Sequence, residues 1–238
     1  MFCFKEMDMV CMNKMSESEQ GMDIALAASQ TNTELVWITP DAQEIIAKLA
    51  RVSNPANENN IKTAPKLLQY LVAHHHWSPF EMASMCVEIH TTRAIAAQIL
   101  RHRSFSFQEL SQRFASVSDM EYEIPYFRIQ DHKNRQSSLD TIDEQKQQQL
   151  QTQTKAVLDQ CFQLYNTLLD EGVAKECARM VLPLCTRTRM YMTGTIRSWI
   201  HYIQLRSAWD TQVEHRVIAE KAKALLLTHM PWIADVLQ

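Results

Sequence analysis

Glycine is scarce in this 238-residue chain: Gly21, Gly172 and Gly194 are its only three. The phosphate-cradling loops GxGxxG and GxxxxGK(S/T) need several glycines close together, because only a residue without Cβ lets the backbone approach a phosphate. Both are excluded, so any nucleotide must be held by side chains, with arginine the natural candidate. The six cysteines, Cys3, Cys11, Cys86, Cys161, Cys177 and Cys185, form no CxxC pair. They are expected as free thiols in a reducing cytosol, without a zinc cluster. No apolar run reaches the roughly 18 residues of a membrane span. There is no basic excess either: the formal charge is −3, which argues against a nucleic-acid binder held by bulk electrostatics. No serine sits in GxSxG, and no cysteine in a Pro-Cys-Gln setting, so no nucleophile announces itself. Finally, residues 177–209 contain no Asp or Glu.

What is present is a foldable chain, 46% apolar, enough for a proper core. Residues 1–21, rich in Met and then in Ser and Glu, read as a flexible extension without a transit pattern. Residues 22–238 read as one helix-rich domain with a small sheet in its N-terminal half. "DIALAASQTNTELVWITP" suggests a strand pair, or a strand plus loop, stopping at Pro40. Asp41 is a candidate N-cap, with Glu44 three positions on, for a helix carrying Ile45, Ile46, Leu49 and Val52. A second helix starts near Pro65. "MASMCVEIHTT" alternates Met85, Val87 and Ile89 against Cys86, Glu88 and His90, which is a strand. "RAIAAQILRH" is helical, and "YEIPYF" is a possible short strand. The Gln-rich "EQKQQQLQTQTK" is a solvated helix face leading to a C-cap at Gly172. Helices are expected at 173–182, 187–206 and 211–229, the last ending before Pro231.

Three clusters carry chemistry. In "RHRSFSFQELSQRF" (101–114), Arg101, His102 and Arg103 crowd a helix end, where cations also complement the dipole. Glu109, Ser111 and Arg113 follow, and in extended chain all three would point one way, offering an acceptor, a hydroxyl and a guanidinium to a polar ligand. The interleaved phenylalanines would anchor the segment. The second cluster holds Arg179, Arg187, Arg189, Arg197 and Arg206, five of the chain's 13 arginines, in the span without carboxylates. Arginines left unpaired among Trp199, Tyr202 and Ile203 would be costly unless an anion arrives. Arg197 and Arg206 lie nine residues apart, half a turn out of phase. The third is "HHHWSPFE" (74–81). Consecutive histidines point different ways, so a metal site is not expected, whereas a histidine on a flat ring is. Ser78 to Glu81 also reads as a capping box.

Arg101-His102-Arg103 followed after seven residues by Ser111 resembles the RHR-x7-S signature of flavin-dependent thymidylate synthases. "ARVSNP" (50–55), "HHHWSPFE", "ARMVLPL" (178–184) and "IRSWIHYIQLR" (196–206) are similar to that family's blocks, in order, over roughly residues 23–232. The resemblance implies an α/β (α+β) domain with helices around a small twisted, mostly antiparallel sheet. It also implies a homotetramer with sites shared between subunits. The implied chemistry uses dUMP, FAD, NADPH and 5,10-methylenetetrahydrofolate. Carried over, Gln98, Arg101, Glu109, Ser111, Arg113, Arg179 and Arg206 would contact dUMP. His76, Ser78, Arg101, His102, Arg103, Glu109, Thr195, Arg197 and His201 would hold FAD. Arg206 would be the catalytic group, polarising the uracil N3/O edge. Thr195 and His201 stand where some relatives have asparagine, Gln108 where asparagine is common, and Phe114 where tyrosine is. Two other classes fit some of these features: a nucleotide- or RNA-binding module without chemistry, and a flavin- and folate-dependent methyltransferase acting on uracil in RNA.

Overall fold

A computed structural model describes residues 31–115, 121–139 and 142–237. The proposed extension, residues 1–21, lies outside the described residues. The main sheet has four strands in the order β1-β2-β6-β3, every neighbouring pair antiparallel. They are β1 (Asn32–Ile38), β2 (Ser84–Thr92), β6 (Arg187–Thr195) and β3 (Ser106–Glu109). Two further short strands, β4 (Ile129–Gln130) and β5 (Ser138–Leu139), form a separate hairpin.

Both central strands alternate between a core face and an outer face. Met85, Val87 and Ile89 of β2 are fully buried, and across the pair Val87 faces Met192 and Ile89 faces Met190. One face of the sheet therefore belongs to the core, and its other face carries Glu88, His90, Arg189 and Tyr191. Both central strands run straight into helices. β2 ends at Thr92 and α3 (Arg93–Ile99) begins at the next residue; β6 ends at Thr195 and α6 (Ile196–Arg206) follows it. Trp199, Ile200, Tyr202 and Ile203 turn the apolar side of α6 inward. Helix α7 (Val213–His229) covers it with Ile218, Ala219, Ala222 and Leu226. Helices α1 (Ala42–Ala50) and α2 (Ala64–Ala73) close the same core.

The long α4 (Glu144–Asp170) bears the glutamines and builds a satellite core with Tyr165 and Ala178, the latter closing α5 (Lys175–Ala178). Gly172, at φ +82°, stops α4 as expected. Its N–H donates to the Leu169 carbonyl at 2.9 Å and the Val173 N–H to the Leu168 carbonyl at 2.9 Å, the Schellman pattern.

Several expectations are corrected. The helix over 187–206 is a strand followed by a helix: Thr188, Met190 and Met192 alternate inward with period two before α6 begins at Ile196. Asp41 does not cap α1 through its side chain; it sits at φ 48° and offers only its backbone carbonyl. Ser78–Glu81 is a single 3-10 turn without a side-chain cap. "YEIPYF" contributes only an isolated bridge from Tyr122 to Thr186. Among the described residues no helix is long and apolar enough to cross a membrane.

Candidate active site

Past the end of α3 the chain makes successive tight turns: the Arg101 N–H donates to the Gln98 carbonyl and the His102 N–H to that of Ile99. These turns throw Arg101 and Arg103 outward and turn His102 inward. Phe105 is the anchor. It is 8% exposed and meets the rings of Trp199 and Tyr202 edge-on, at centroid distances of 4.9 and 5.8 Å. It also lies over Gly194, where a Cβ would come within 2.5 Å of its ring. Ser198 Oγ donates to the Ser104 carbonyl at 3.3 Å, tying the segment to the first turn of α6. The anchoring expected of all three phenylalanines holds for Phe105 and partly for Phe107, but Phe114 is 87% exposed.

Inside this turn lies a cluster of polar groups. Arg206 Nε donates to His102 Nε2 at 2.9 Å. An acceptor Nε2 means a neutral His102 with its proton on Nδ1. Burial first, then the Arg206 and His201 charges, push the His102 pKa down to about 4. The His102 ring meets Tyr202 edge-on at 4.9 Å. Tyr202 in turn lies 3.1 Å, hydroxyl to Nε2, from His215. His215 is fully buried, and its Nδ1 lies 3.3 Å from Gln98 Oε1. Its pKa is pushed down to about 3 by burial, helped by Arg206 and His102. Burial raises the Tyr202 pKa, so both groups are neutral at pH 7. Gln98 Nε2 donates onward to Gln212 Oε1 at 2.6 Å.

Thus Gln98, His102, His201 and Arg206 are brought together, with Arg101 and Arg103 on the rim. Tyr202, Gln212 and His215 were missed as site residues. His215 was legible only as a buried histidine, since it shares a helical stripe with Ile218, Ala219 and Ala222.

A second group forms elsewhere. The extended run ends at Glu109, and Ser111 opens a turn in which its carbonyl accepts from the N–H groups of Phe114 and Ala115. Glu109, Ser111 and Arg113 therefore do not line one face, because the strand breaks before it reaches Arg113. Glu109 accepts from Arg93 at 2.6 Å and Thr188 at 2.9 Å. Ser111, Arg113 and Phe114 line an open cleft of about 400 Å³ with Ala174, Lys175 and Glu176. Arg113 pairs with Glu176 at 2.9 Å, and Arg179 lies in the turn just after α5. Among the described residues, no hydrogen bond or ion pair links Ser111, Arg113 or Arg179 to Gln98, Arg101, His102 or Arg206.

The third group surrounds the start of α6. Thr195 caps the helix, accepting from the Ser198 N–H at 3.3 Å. Arg197 pairs with Glu81 across the 3-10 turn that also holds Ser78. Arg197 and Arg206 thus face different partners, but Arg197 is not unpaired, because its carboxylate comes from outside the 177–209 span. Of the three histidines, His74 stacks on Tyr70 with centroids 3.9 Å apart, while His76 is exposed and meets both rings edge-on. Among the described residues no group of three or more His, Cys, Asp or Glu could hold a metal ion.

The family model described as thymidylate synthase complementing protein matches residues 34–232. A relative from Paramecium bursaria Chlorella virus 1, named a probable flavin-dependent thymidylate synthase, is 54% identical over 82% of this chain and 90% of its own length. The chain belongs to the flavin-dependent thymidylate synthase family. A flavin-dependent thymidylate synthase from Synechocystis is 51% identical over 82% of this chain and 88% of its own. Among solved structures, a UMP/dUMP methylase PolB from Streptomyces cacaoi bound with 5-Br dUMP superposes with a TM-score of 0.76. It is 27% identical and the match covers 86% of this chain and 93% of that one. The family's mixed fold, helices around an antiparallel sheet, is the one seen here.

Proposed function

We propose that this protein methylates dUMP to dTMP, with 5,10-methylenetetrahydrofolate as carbon donor, FAD as the flavin and NADPH as reductant. The observation that carries the reading is the Arg206–His102 contact at 2.9 Å. A neutral histidine orients the guanidinium without cancelling its charge. Held at the N3/O edge of uracil, that charge favours enolate-like electron density and makes C5 a better nucleophile. The C5 carbon bonds to the one-carbon unit, whose two bonds to folate nitrogens break so that tetrahydrofolate leaves, and the C5 proton is lost while a proton is returned to the folate nitrogen. Ser111 binds rather than attacks: among the described residues its hydroxyl has no hydrogen bond to a base, and Glu176, in the same cleft, is paired with Arg113.

The donors present fit a flavin dinucleotide. Among the described residues, Arg101 and Arg103 have no ion-pair or side-chain hydrogen-bond partner, and the Arg197–Glu81 pair is exposed on both sides. Such guanidiniums suit a diphosphate. We assign FAD to His76, Ser78, Arg101, His102, Arg103, Glu109, Thr195, Arg197 and His201. We assign dUMP to Gln98, Arg101, Glu109, Ser111, Arg113, Arg179 and Arg206. Bound reduced flavin supplies the hydride that completes the methyl group. The separation of the Ser111–Arg113–Arg179 group from the Gln98–Arg206 group supports a site completed between subunits, in a homotetramer. The free thiols of Cys86, Cys161, Cys177 and Cys185 fit a cytoplasmic setting.

The test is release of tritium from C5-labelled dUMP by the purified, flavin-loaded protein, dependent on the folate and NADPH. UMP is run as the competitor because PolB carries both names. A protein that takes up no flavin, or releases no tritium, refutes the reading. Sedimentation as a fully active monomer refutes shared sites.

A further inference from the structure

We propose that His215 is a positioning residue for pyrimidine recognition: it fixes the side-chain amide of Gln98 so that only N–H donors face the ligand. The inference rests on the reading of Gln98 as a dUMP contact.

The argument is one of satisfied hydrogen bonds. Tyr202 is fully buried, and its hydroxyl has one hydrogen-bond partner among the described residues, His215 Nε2 at 3.1 Å. A buried hydroxyl that accepted there would leave its own proton without an acceptor, at a cost of roughly the desolvation of one polar group. Tyr202 therefore donates, His215 Nε2 accepts, and the ring proton sits on Nδ1. That proton meets Gln98 at 3.3 Å, so the atom facing it is the carbonyl Oε1. Gln98 Nε2 then points at Gln212 and donates to its Oε1 at 2.6 Å. The His215 contact thus sets the orientation, the Gln212 contact is compatible with it, and the second N–H of Gln98 is left for a ligand. Uracil carbonyls are acceptors, and a donor-only amide matches them; a flipped Gln98 would present a lone pair instead.

His215 is itself held. The next residue, Glu214, accepts two hydrogen bonds from Arg128 Nη2 at 2.8 and 3.0 Å in a largely buried pair, which pins the first turn of α7. Among the described residues the side chain of His215 hydrogen-bonds Tyr202 and Gln98, and of these Gln98 is the proposed nucleotide contact, so its hydrogen-bonded route to the nucleotide passes through Gln98.

The two amide replacements separate a positioning role from a structural one. In His215→Asn the amide nitrogen takes the place of Nδ1 and can still donate to Gln98. In His215→Gln the amide end takes the place of Nε2 and serves Tyr202 alone. On flavin-loaded enzyme, His215→Gln should raise the dUMP KM by about tenfold, one hydrogen bond's worth. Its kcat at saturating dUMP and its flavin content should be unchanged, while His215→Asn should stay near wild type. Gln98→Ala combined with His215→Gln should be no worse than Gln98→Ala alone. Equal losses in the Asn and Gln variants, or a fall in kcat and flavin together with affinity, would overturn the proposal. If neither His215 variant yields folded enzyme, Tyr202→Phe decides. It removes one oxygen, frees the His215 tautomer and should raise the dUMP KM severalfold, and an unchanged KM overturns the proposal. Wild-type enzyme that binds no dUMP would instead sink the proposed function, whatever the variants do.

Discussion

Acid should destabilise this protein through His215 in a way that can be isolated. In the folded chain the His215 pKa is about 3, against an ordinary 6.5. Its ring is fully buried beside Arg206 and His102, and both of its nitrogens are engaged. Unfolding releases the ring to its ordinary pKa, so between about pH 6.5 and 3 the unfolded chain binds one more proton than the folded chain. Stability that is complete above pH 6.5 is therefore lost as pH falls, by about 1.4 kcal/mol per pH unit. Between pH 7.5 and 5 the loss from this one residue is about 2 kcal/mol. His102, whose pKa is also lowered, contributes in the same direction and window. It does so in wild type and in His215→Phe alike, so the difference between the two pH profiles reports His215. Urea midpoints at pH 7.5, 6.5, 5.5 and 5.0 at one fixed subunit concentration would measure it. His215→Phe is allowed to be weaker throughout, since the test is slope and not level. Parallel profiles for the two proteins would mean that His215 titrates normally in the fold, and the buried tautomer argument would fail with it.

Arg206→Ala should keep its flavin and still allow NADPH to bleach it, yet lose dTMP formation by on the order of 10²–10³-fold; Arg206→Lys should recover only part, because a point charge lacks the planar two-donor edge. Near wild-type turnover of Arg206→Ala at saturating dUMP would reduce Arg206 to a binding residue. Arg197→Ala should instead lower flavin occupancy, read directly from the absorbance-to-protein ratio, and unaltered occupancy would detach Arg197 from the cofactor. Ser111→Ala should weaken dUMP binding by about 1.5–3 kcal/mol with residual turnover, and a covalent nucleotide adduct on Ser111 would contradict a purely binding role. Gly194→Ala must push the Phe105 ring, whose nearest atoms lie 2.5 and 2.7 Å from the added Cβ. A loss of about 1–3 kcal/mol in folding stability is expected, and thermal unfolding unchanged from wild type would show that the ring moves freely.

The parts of the fold that were legible are those in which local pattern and tertiary context agree. The alternation of Met85, Val87 and Ile89 marked β2, and Gly172 marked the end of α4. The strand β6 was missed although Thr188, Met190 and Met192 alternate just as clearly. It runs into α6 without a break, and Thr195 serves as both the last strand residue and the N-cap. Gly194 looks like a breaker, but its role is to admit Phe105. The site was legible as a set of residue types and not as a set of partners. A carboxylate-free window does not isolate its arginines, since Glu81 reaches Arg197 from 116 positions away. Glu176 likewise reaches Arg113 from 63 positions away. Nothing local in "VEHRVIA" tells that His215 faces Gln98; that contact exists only because α7 folds over α3 and α6.

The partners sort the cations by what they are free to do. Arg128 is neutralised by Glu214 in a largely buried pair, and Arg93 by Glu109. Each holds elements together, and each presents little net field to a ligand. Arg206 is different, because its Nε bonds to a histidine that burial keeps uncharged. A carboxylate in that place would orient the guanidinium equally well, but it would cancel the charge that the proposed enolate-like state needs. A protonated histidine could not accept the bond at all and would add a second positive charge beside the first. Neutral imidazole supplies direction while leaving the charge intact. Keeping it neutral requires a low pKa, which burial against the Tyr202 ring produces by desolvation, with Arg206 itself lowering it further. The buried Tyr202 ring, 4.9 Å from His102, therefore bears on the proposed chemistry through the protonation state of that histidine.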